Sequence, residues 1–452
     1  MSDSCPLAEG IKEEGEYLLF QDLPTDVLLS IFRYCDTRAL LSLSQTCRRV
    51  NSIINEDFVW LERSRKVNVS NQVSEEIKNR HVYSQIRFVN SVVIWSSASY
   101  GGVTGPSFTI LPCKERCRIS QNWNSGRYQE TIYLNNRTKF MPWLQLERDV
   151  LWFSRGRQIL ALKRRLNAIG CVPAQSFVPH REDVSRFVVK SGMVISGGRD
   201  GSLSAWTLRQ NKKCSEERFA HNSDITDVDY DGHQVIVTAS KDETIKVWSL
   251  EDDKIKPKMS VVTDDRVWTV ALQPGSSSML CYGMSGHHHT KPPLCLYNVE
   301  RCQMASLKYA VIKRGAGVLD VIWEDPNTLV SCGYDSIVRM WDVRTLSCVR
   351  FWSDPFDVVL YSLASDYSHS LLCGTAQHGR VQMWDKRHTR SLQMYFMNSD
   401  HSSPVYSLQF DPTHLFVALD QSLNMMDFSG FRNRAWQIAK DYRHFYVHSH
   451  VL

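Results

Sequence analysis

Four stretches of the chain repeat one another: VISGGRDGSLSAWTL (194–208), VTASKDETIKVWSL (237–250), LVSCGYDSIVRMWDV (329–343) and LLCGTAQHGRVQMWDK (371–386). Each starts as a short apolar run, turns tightly at Asp or Gly, and returns as an alternating strand ending in Trp. The equivalent aromatic or apolar position recurs at Leu162, Trp206, Trp248, Tyr297, Trp341, Trp384 and Met426, in steps of 44, 42, 49, 44, 43 and 42 residues. A period of that length marks a repeat array in which each unit buries its apolar face against the next. The first unit lacks the motif, so a count of seven units follows from spacing. The longest step contains SGHHHTKPPL (285–294), which reads as a loop insertion, because three adjacent histidines seldom converge on one ion.

The composition bounds the rest. At 452 residues, with 43% hydrophobic and 22% charged residues, the chain is globular and long enough for two or three domains. Its 53 Lys and Arg against 48 Asp and Glu leave a net charge of +5, too diffuse to argue for nucleic acid. The start, MSDSCPLAEG, carries acids where a signal peptide needs a basic then apolar run, so secretion is not expected, and no run approaches a membrane span. The 13 cysteines therefore read as reduced thiols of a cytoplasmic or nuclear protein. Cys113 and Cys117 form one CxxxC pair, too few ligands for a structural zinc site and better read as free thiols near a loop. No nucleophile–base pair or phosphate-binding loop occurs, and neither a cofactor nor a metal is expected.

Residues 1–20 read as a flexible acidic tail. From Leu23 a helix is predicted, with Pro24 at its start, Asp26 in its first turn, and Val27, Leu28, Ile31, Phe32 and Cys35 on an apolar stripe. A second helix begins at the Asp36-Thr37 cap and runs through Leu40, Leu41, Leu43, Cys47 and Val50, and a third carries Phe58 to Leu61. Residues 66–127 form a linker, helical over 73–89 and then a strand and Gly-rich turn. The repeat region spans 128–430, and a tail, 431–452, follows it.

The repeats resemble the WD40 family, in which a His, a Ser or Thr, an Asp and the Trp form a buried hydrogen-bonded tetrad. The matching residues are His180, Ser196, Asp200 and Trp206 in one repeat and His221, Thr238, Asp242 and Trp248 in the next. The implied fold is an all-β seven-bladed WD40 propeller, preceded by a small all-α domain and a helical linker. The likeness further implies a strap, an early strand that completes the last blade, for which Thr131–Leu134 is the candidate. Residues 21–63 resemble the F-box, through Leu23-Pro24, Leu28, Ile31-Phe32, Leu40, Leu43, the Cys47–Val50 run and Trp60. That resemblance implies docking on a Skp1-type adaptor through Leu23, Pro24, Leu28, Ile31, Phe32, Leu40, Leu43 and Val50, and through it a cullin scaffold. The chain would then be the non-catalytic substrate receptor of an SCF ubiquitin ligase, with a WD40 scaffold outside ubiquitination as the alternative. Four stretches that depart from the generic repeat narrow the likeness to one member of the F-box/WD family: 142–147, 265–268, 315–321 and 402–406.

On a propeller the strand starts of the narrow face meet partners. They are expected at Ser185, Thr226, Trp268, Leu319, Tyr361 and Tyr406, with Asp183, Asp224 and Arg266 beside them. Phosphate readers need forked donors. This ring, aromatic with one arginine, predicts recognition of a protein substrate without strict dependence on phosphate. Trp268, Tyr361 and Tyr406 are residue types that dominate contact energies, although capping of the central channel explains them equally well.

Overall fold

The structure, a computed structural model, describes residues 20–69, 87–89, 92–94 and 111–430, apart from 148, 166–167, 171, 288–290, 311–313 and 398–401. The expected acidic tail, the helix over 73–86, His288 and His289 of the His-rich run, and the tail after 430 lie outside the described residues. Of the stretch expected to be helical, 87–89 is strand and pairs with 92–94.

The helical domain contains four short helices, α1 (Thr25–Tyr34), α2 (Thr37–Leu43), α3 (Arg48–Ile54) and α4 (Asp57–Lys66). Asp36 caps α2 by accepting from the Ala39 amide at 2.7 Å. The second predicted helix is two: Thr46 turns its hydroxyl back to the Leu43 carbonyl, and Cys47 becomes the cap of α3. Such local side-chain bonds compete with the helical ladder and end it. Leu28, Phe32, Leu40, Val50, Ile54 and Trp60 form the core. The Trp60 indole donates to the Ile54 carbonyl at 2.6 Å.

A further helix, α5 (Cys113–Ser125), closes the bottom of that core. Cys113 and Cys117 are buried on its inner face, not placed in a loop. Its C-terminus stops at Gly126, whose φ of 65° favours glycine, and the Arg127 amide returns to the Asn122 carbonyl at 2.9 Å.

Seven antiparallel sheets follow, each a propeller blade. Blades two to six each use four consecutive strands, beginning at Val184, Ile225, Val267, Val318 and Leu360. The first blade, starting at Leu144, has an outer strand split into Ala168–Ile169 and Gln175–Phe177. All seven ruler positions fall on the third strand of their blade. Packing between blades is tight enough to exclude a methyl: a Cβ on Gly197 would lie 2.4 Å from the Ile225 side chain of the next blade.

The ring closes as the strap expectation has it. Gln129–Asn135 pairs antiparallel with Ser422–Asp427 and is the outer strand of the seventh blade. The strap follows α5 after three residues, so closing the ring draws α5 against the last blades. There Trp123 stacks on Phe428 (centroids 3.7 Å apart, planes 13° apart) and meets Tyr395 and Phe410 edge-on. Its indole donates to the Pro412 carbonyl at 2.9 Å, while the Tyr395 hydroxyl donates to the Trp123 carbonyl at 2.8 Å. A second tie runs from the end of α4, where Arg387 donates to the Lys66 carbonyl at 2.8 Å and the Val69 amide to Ser370 Oγ at 2.8 Å.

Deleting 129–135 should open the seventh blade and expose the ladder edge of Ser422–Asp427. A fall of several degrees in the unfolding temperature of the full chain is expected, and an unchanged transition would show that the strap does not close the ring.

Candidate functional site: two surfaces on a closed ring

The second predicted tetrad forms completely. His221 Nε2 bonds Thr238 Oγ1 at 2.7 Å, Nδ1 lies 3.1 Å from Asp242, and the Trp248 indole donates to the same Thr238 oxygen at 3.0 Å. In the first, His180 bonds Ser196 at 2.9 Å but reaches Asp200 through Ser202, with links of 2.6 and 2.5 Å. Trp206 does not join: its indole nitrogen is buried without a partner, and Phe177 packs edge-on against the ring at 5.1 Å. In the fifth blade the Trp341 indole keeps its bond to Ser331 at 2.9 Å, with the Tyr309 ring packed 4.8 Å away. These histidines are structural, each satisfied inside its own blade.

On the helical domain, four of the predicted docking residues are in the core. Leu28, Phe32 and Leu40 are wholly buried and Val50 is 1% exposed, so they offer no surface to a partner and instead hold the helices that carry one. Leu23, Ile31 and Leu43 are half-buried and Pro24 is exposed. Beside them lie exposed apolar residues: Val27, Leu41 and Tyr34, the last 93% exposed. Pro24, Val27, Ile31 and Tyr34 sit three to four residues apart. They make a second apolar stripe on α1, about a quarter turn from the core stripe of Leu28 and Phe32. An exposed apolar stripe of this kind marks an interaction surface.

On the propeller, the predicted strand-start residues divide. Tyr361 and Tyr406 stack face to face, with centroids 5.9 Å apart and planes 17° apart. Lys241 links two others, pairing with Asp224 at 2.6 Å and resting 5.9 Å from the Trp268 ring. Arg266 is exposed. Thr226 spends its hydroxyl on the Val267 carbonyl of the next blade at 2.7 Å. Leu319 is buried, and its carbonyl accepts from Arg186 at 3.3 Å, so it lines the channel wall without facing a partner. Ser185 is half-buried beside it in sequence.

Arg186 is the residue that the reading of strand starts misses. It spans the channel between Asp227 at 3.2 Å and Asp320 at 3.4 Å, and its guanidinium lies over the Trp143 ring at 4.0 Å. Both carboxylates also stitch blades together: Asp227 accepts from the Val270 amide and Asp320 from the Leu363 amide, each at 2.8 Å. Burial pushes the Asp320 carboxyl up to about 6, and the Arg186 charge only partly opposes it. The signal was present, because Thr226-Asp227-Val228 and Leu319-Asp320-Val321 repeat the same Asp at the same strand position. Arginine is also commoner on this face than the strand starts suggest. Arg155, Arg157, Arg181 and Arg199 lie on the hairpins and loop of the first two blades that flank Asp183.

Among the described residues, no group of three or more His, Cys, Asp or Glu side chains is placed to hold a metal ion, and no helix is long and apolar enough to cross a membrane.

Burial drives the His180 and His221 pKa values down to about 4, against the pull of Asp200 and Asp242. Both rings are therefore neutral in the fold, whereas the unfolded chain protonates them near 6.5. The stability each contributes is complete above about pH 6.5 and is lost as the pH falls towards 4, on the order of 3 kcal/mol per ring. Asp320 acts oppositely over part of that window, as do Asp57, Asp227 and Asp366, since burial raises each of these carboxyls and so favours the fold on acidification. Removing one buried neutral ring by His221→Asn should therefore lessen the loss of stability on acidification, shifting the change in unfolding temperature between pH 6.5 and 4.5 towards the fold relative to the wild-type chain. An unaltered slope in the variant would contradict a neutral His221.

Comparison with known proteins agrees with this geometry. Residues 20–66 match the F-box-like family model, and 212–249 and 312–342 match the WD domain, G-beta repeat. The human F-box/WD repeat-containing protein 4 (dactylin) is 34% identical over 412 residues, covering 90% of this chain and 92% of that protein. Its mouse counterpart is 33% identical over the same length. The Arabidopsis thaliana protein ROOT INITIATION DEFECTIVE 3 is 28% identical over 172 residues, 35% of this chain and 38% of its own length. With an F-box-like helical domain clamped by α5 to a closed propeller, and a relative of that identity along nearly its whole length, the chain belongs to the F-box/WD-repeat family.

Proposed function

We propose that this protein is the substrate-recognition subunit of an SCF-type ubiquitin ligase. The F-box binds a Skp1-type adaptor and, through it, a cullin scaffold, while the narrow face of the propeller binds the protein to be ubiquitinated. The catalytic step belongs to other subunits, and this chain supplies two binding surfaces and the distance between them. The observation that carries the reading is the stripe of exposed Pro24, Val27 and Tyr34 with half-buried Ile31 between them, extended by Leu41: an apolar face left over on an F-box after its own core is filled. A partner helix or groove that covers the stripe removes it from water, worth about 25 cal/mol per Å² before the costs of association. On the propeller, the stacked Tyr361 and Tyr406 and the half-buried Trp268 are the anchors proposed for substrate.

The test uses exposed positions, so that loss of binding is not loss of folding. Val27→Glu with Tyr34→Glu should reduce capture of Skp1 by the full chain at least about tenfold, with an unchanged thermal transition. Undiminished capture would refute docking through α1.

A further inference from the structure

The hairpin between the second and third strands of the first blade carries Arg155, Gly156, Arg157 and Gln158, and its tip touches the start of the second blade. There the Val184 amide donates to the Gly156 carbonyl at 2.9 Å, and Arg157 donates to the Arg181 carbonyl at 3.4 Å. Between them opens a cleft of about 380 Å³, lined by Phe140, Arg155, Gly156, Arg157, Gln158 and Asp183. That volume suits one or two side chains rather than a whole ligand. Gly156, at φ 56°, brings the backbone close: a Cβ there would stand 3.0 Å from the Phe140 ring and 3.3 Å from Asp183.

Three arginines crowd this cleft. Arg155, Arg157 and Arg181 are exposed, and none forms an ion pair with a carboxylate among the described residues. Elsewhere on the propeller, Arg164, Arg339, Arg380 and Arg387 are each held by an Asp. Arg199 relates the cleft to the tyrosine pair. The Arg199 amide donates to the Asp183 carbonyl at 3.0 Å, and the Arg199 charge lies close enough to Tyr406 to act on its hydroxyl.

We infer that the Phe140–Arg155–Arg157 cleft is a subsite for an acidic side chain, a glutamate in an unphosphorylated segment of the substrate. The alkyl stem of a glutamate would lie on the Phe140 ring, and its carboxylate would meet the Arg155 fork and the Arg157 donors not given to the Arg181 carbonyl, with the Gln158 amide beside them. Asp183 in the same wall offsets one arginine charge, and the phosphoserine library below tests the choice of carboxylate over phosphate. The assignment rests on the proposed substrate role of the narrow face and names the chemistry recognised there.

The test uses the full chain and degenerate ten-residue peptide libraries, each with one position fixed as glutamate, glutamine or phosphoserine. The glutamate library should be retained on the order of tenfold more than the glutamine library, and Arg155→Gln with Arg157→Gln should remove that preference while leaving the thermal transition in place. Equal retention of glutamate and glutamine, or a preference that survives in the double variant, would overturn the subsite. Stronger retention of phosphoserine would overturn the choice of carboxylate. Skp1 capture measured on the same samples separates the two readings: intact capture without glutamate preference removes the subsite alone, and lost capture in the wild-type chain removes the ligase role.

Discussion

The molecule depends on one constraint of ring closure. The seventh blade has three strands from the end of the repeat region, and its outer strand, Gln129–Asn135, comes from before the first blade. The segment that precedes this strap is α5, so α5 is placed against the sixth and seventh blades by the same pairing that seals the ring. The helical domain packs on the other side of α5, through Cys113 and Cys117 and the Asp57 carboxylate that accepts from the Cys113 amide at 2.9 Å. One stretch of chain thereby closes the propeller, completes the helical core and joins the two.

The joint is built to resist bending. Trp123 is wholly buried among Phe428, Tyr395 and Phe410, with its indole nitrogen and its carbonyl both hydrogen-bonded to the propeller. Asn122 donates to the Phe428 carbonyl at 2.8 Å, and Gln393 to the Asn124 carbonyl at 3.1 Å. The Arg387 fork reaches from the sixth blade to the end of α4. In the proposed adaptor role this stiffness would have a purpose: a protein held on the propeller would be presented at one distance and orientation from whatever holds α1, which would raise the effective concentration of the reacting groups.

Much of this was legible in the sequence, for physical reasons that differ by element. The period of the Trp markers located every third strand because each blade must bury an equivalent residue at an equivalent depth. The His221 tetrad was legible through the resemblance to WD40 repeats, and it forms because a buried imidazole needs hydrogen-bond partners. The Trp206 exception was not, because it depends on Phe177 in the neighbouring blade. Leu28 and Phe32 show a subtler limit. A resemblance identifies positions that matter to an F-box, but not whether a residue builds the core or faces outward, and α1 carries both stripes side by side. The α5 helix was read as linker because nothing local says that Trp123 will meet Phe428, some 300 residues away in the chain. The arginines around the Phe140 cleft escaped for the same reason: Arg157 and Arg181 become neighbours only when the first two blades pack.

Rigid coupling across α5 is open to direct measurement. Spin labels carried by non-cysteine side chains at Tyr34 on α1 and Val262 on the third blade, both exposed, report the distance between the two surfaces by pulsed dipolar spectroscopy. A single narrow distribution is expected for the wild-type chain, broadening when Trp123→Ala removes the stacked indole. A broad distribution in the wild-type chain, or a narrow one that survives Trp123→Ala, would contradict the role of α5 as the rigid joint between F-box and propeller.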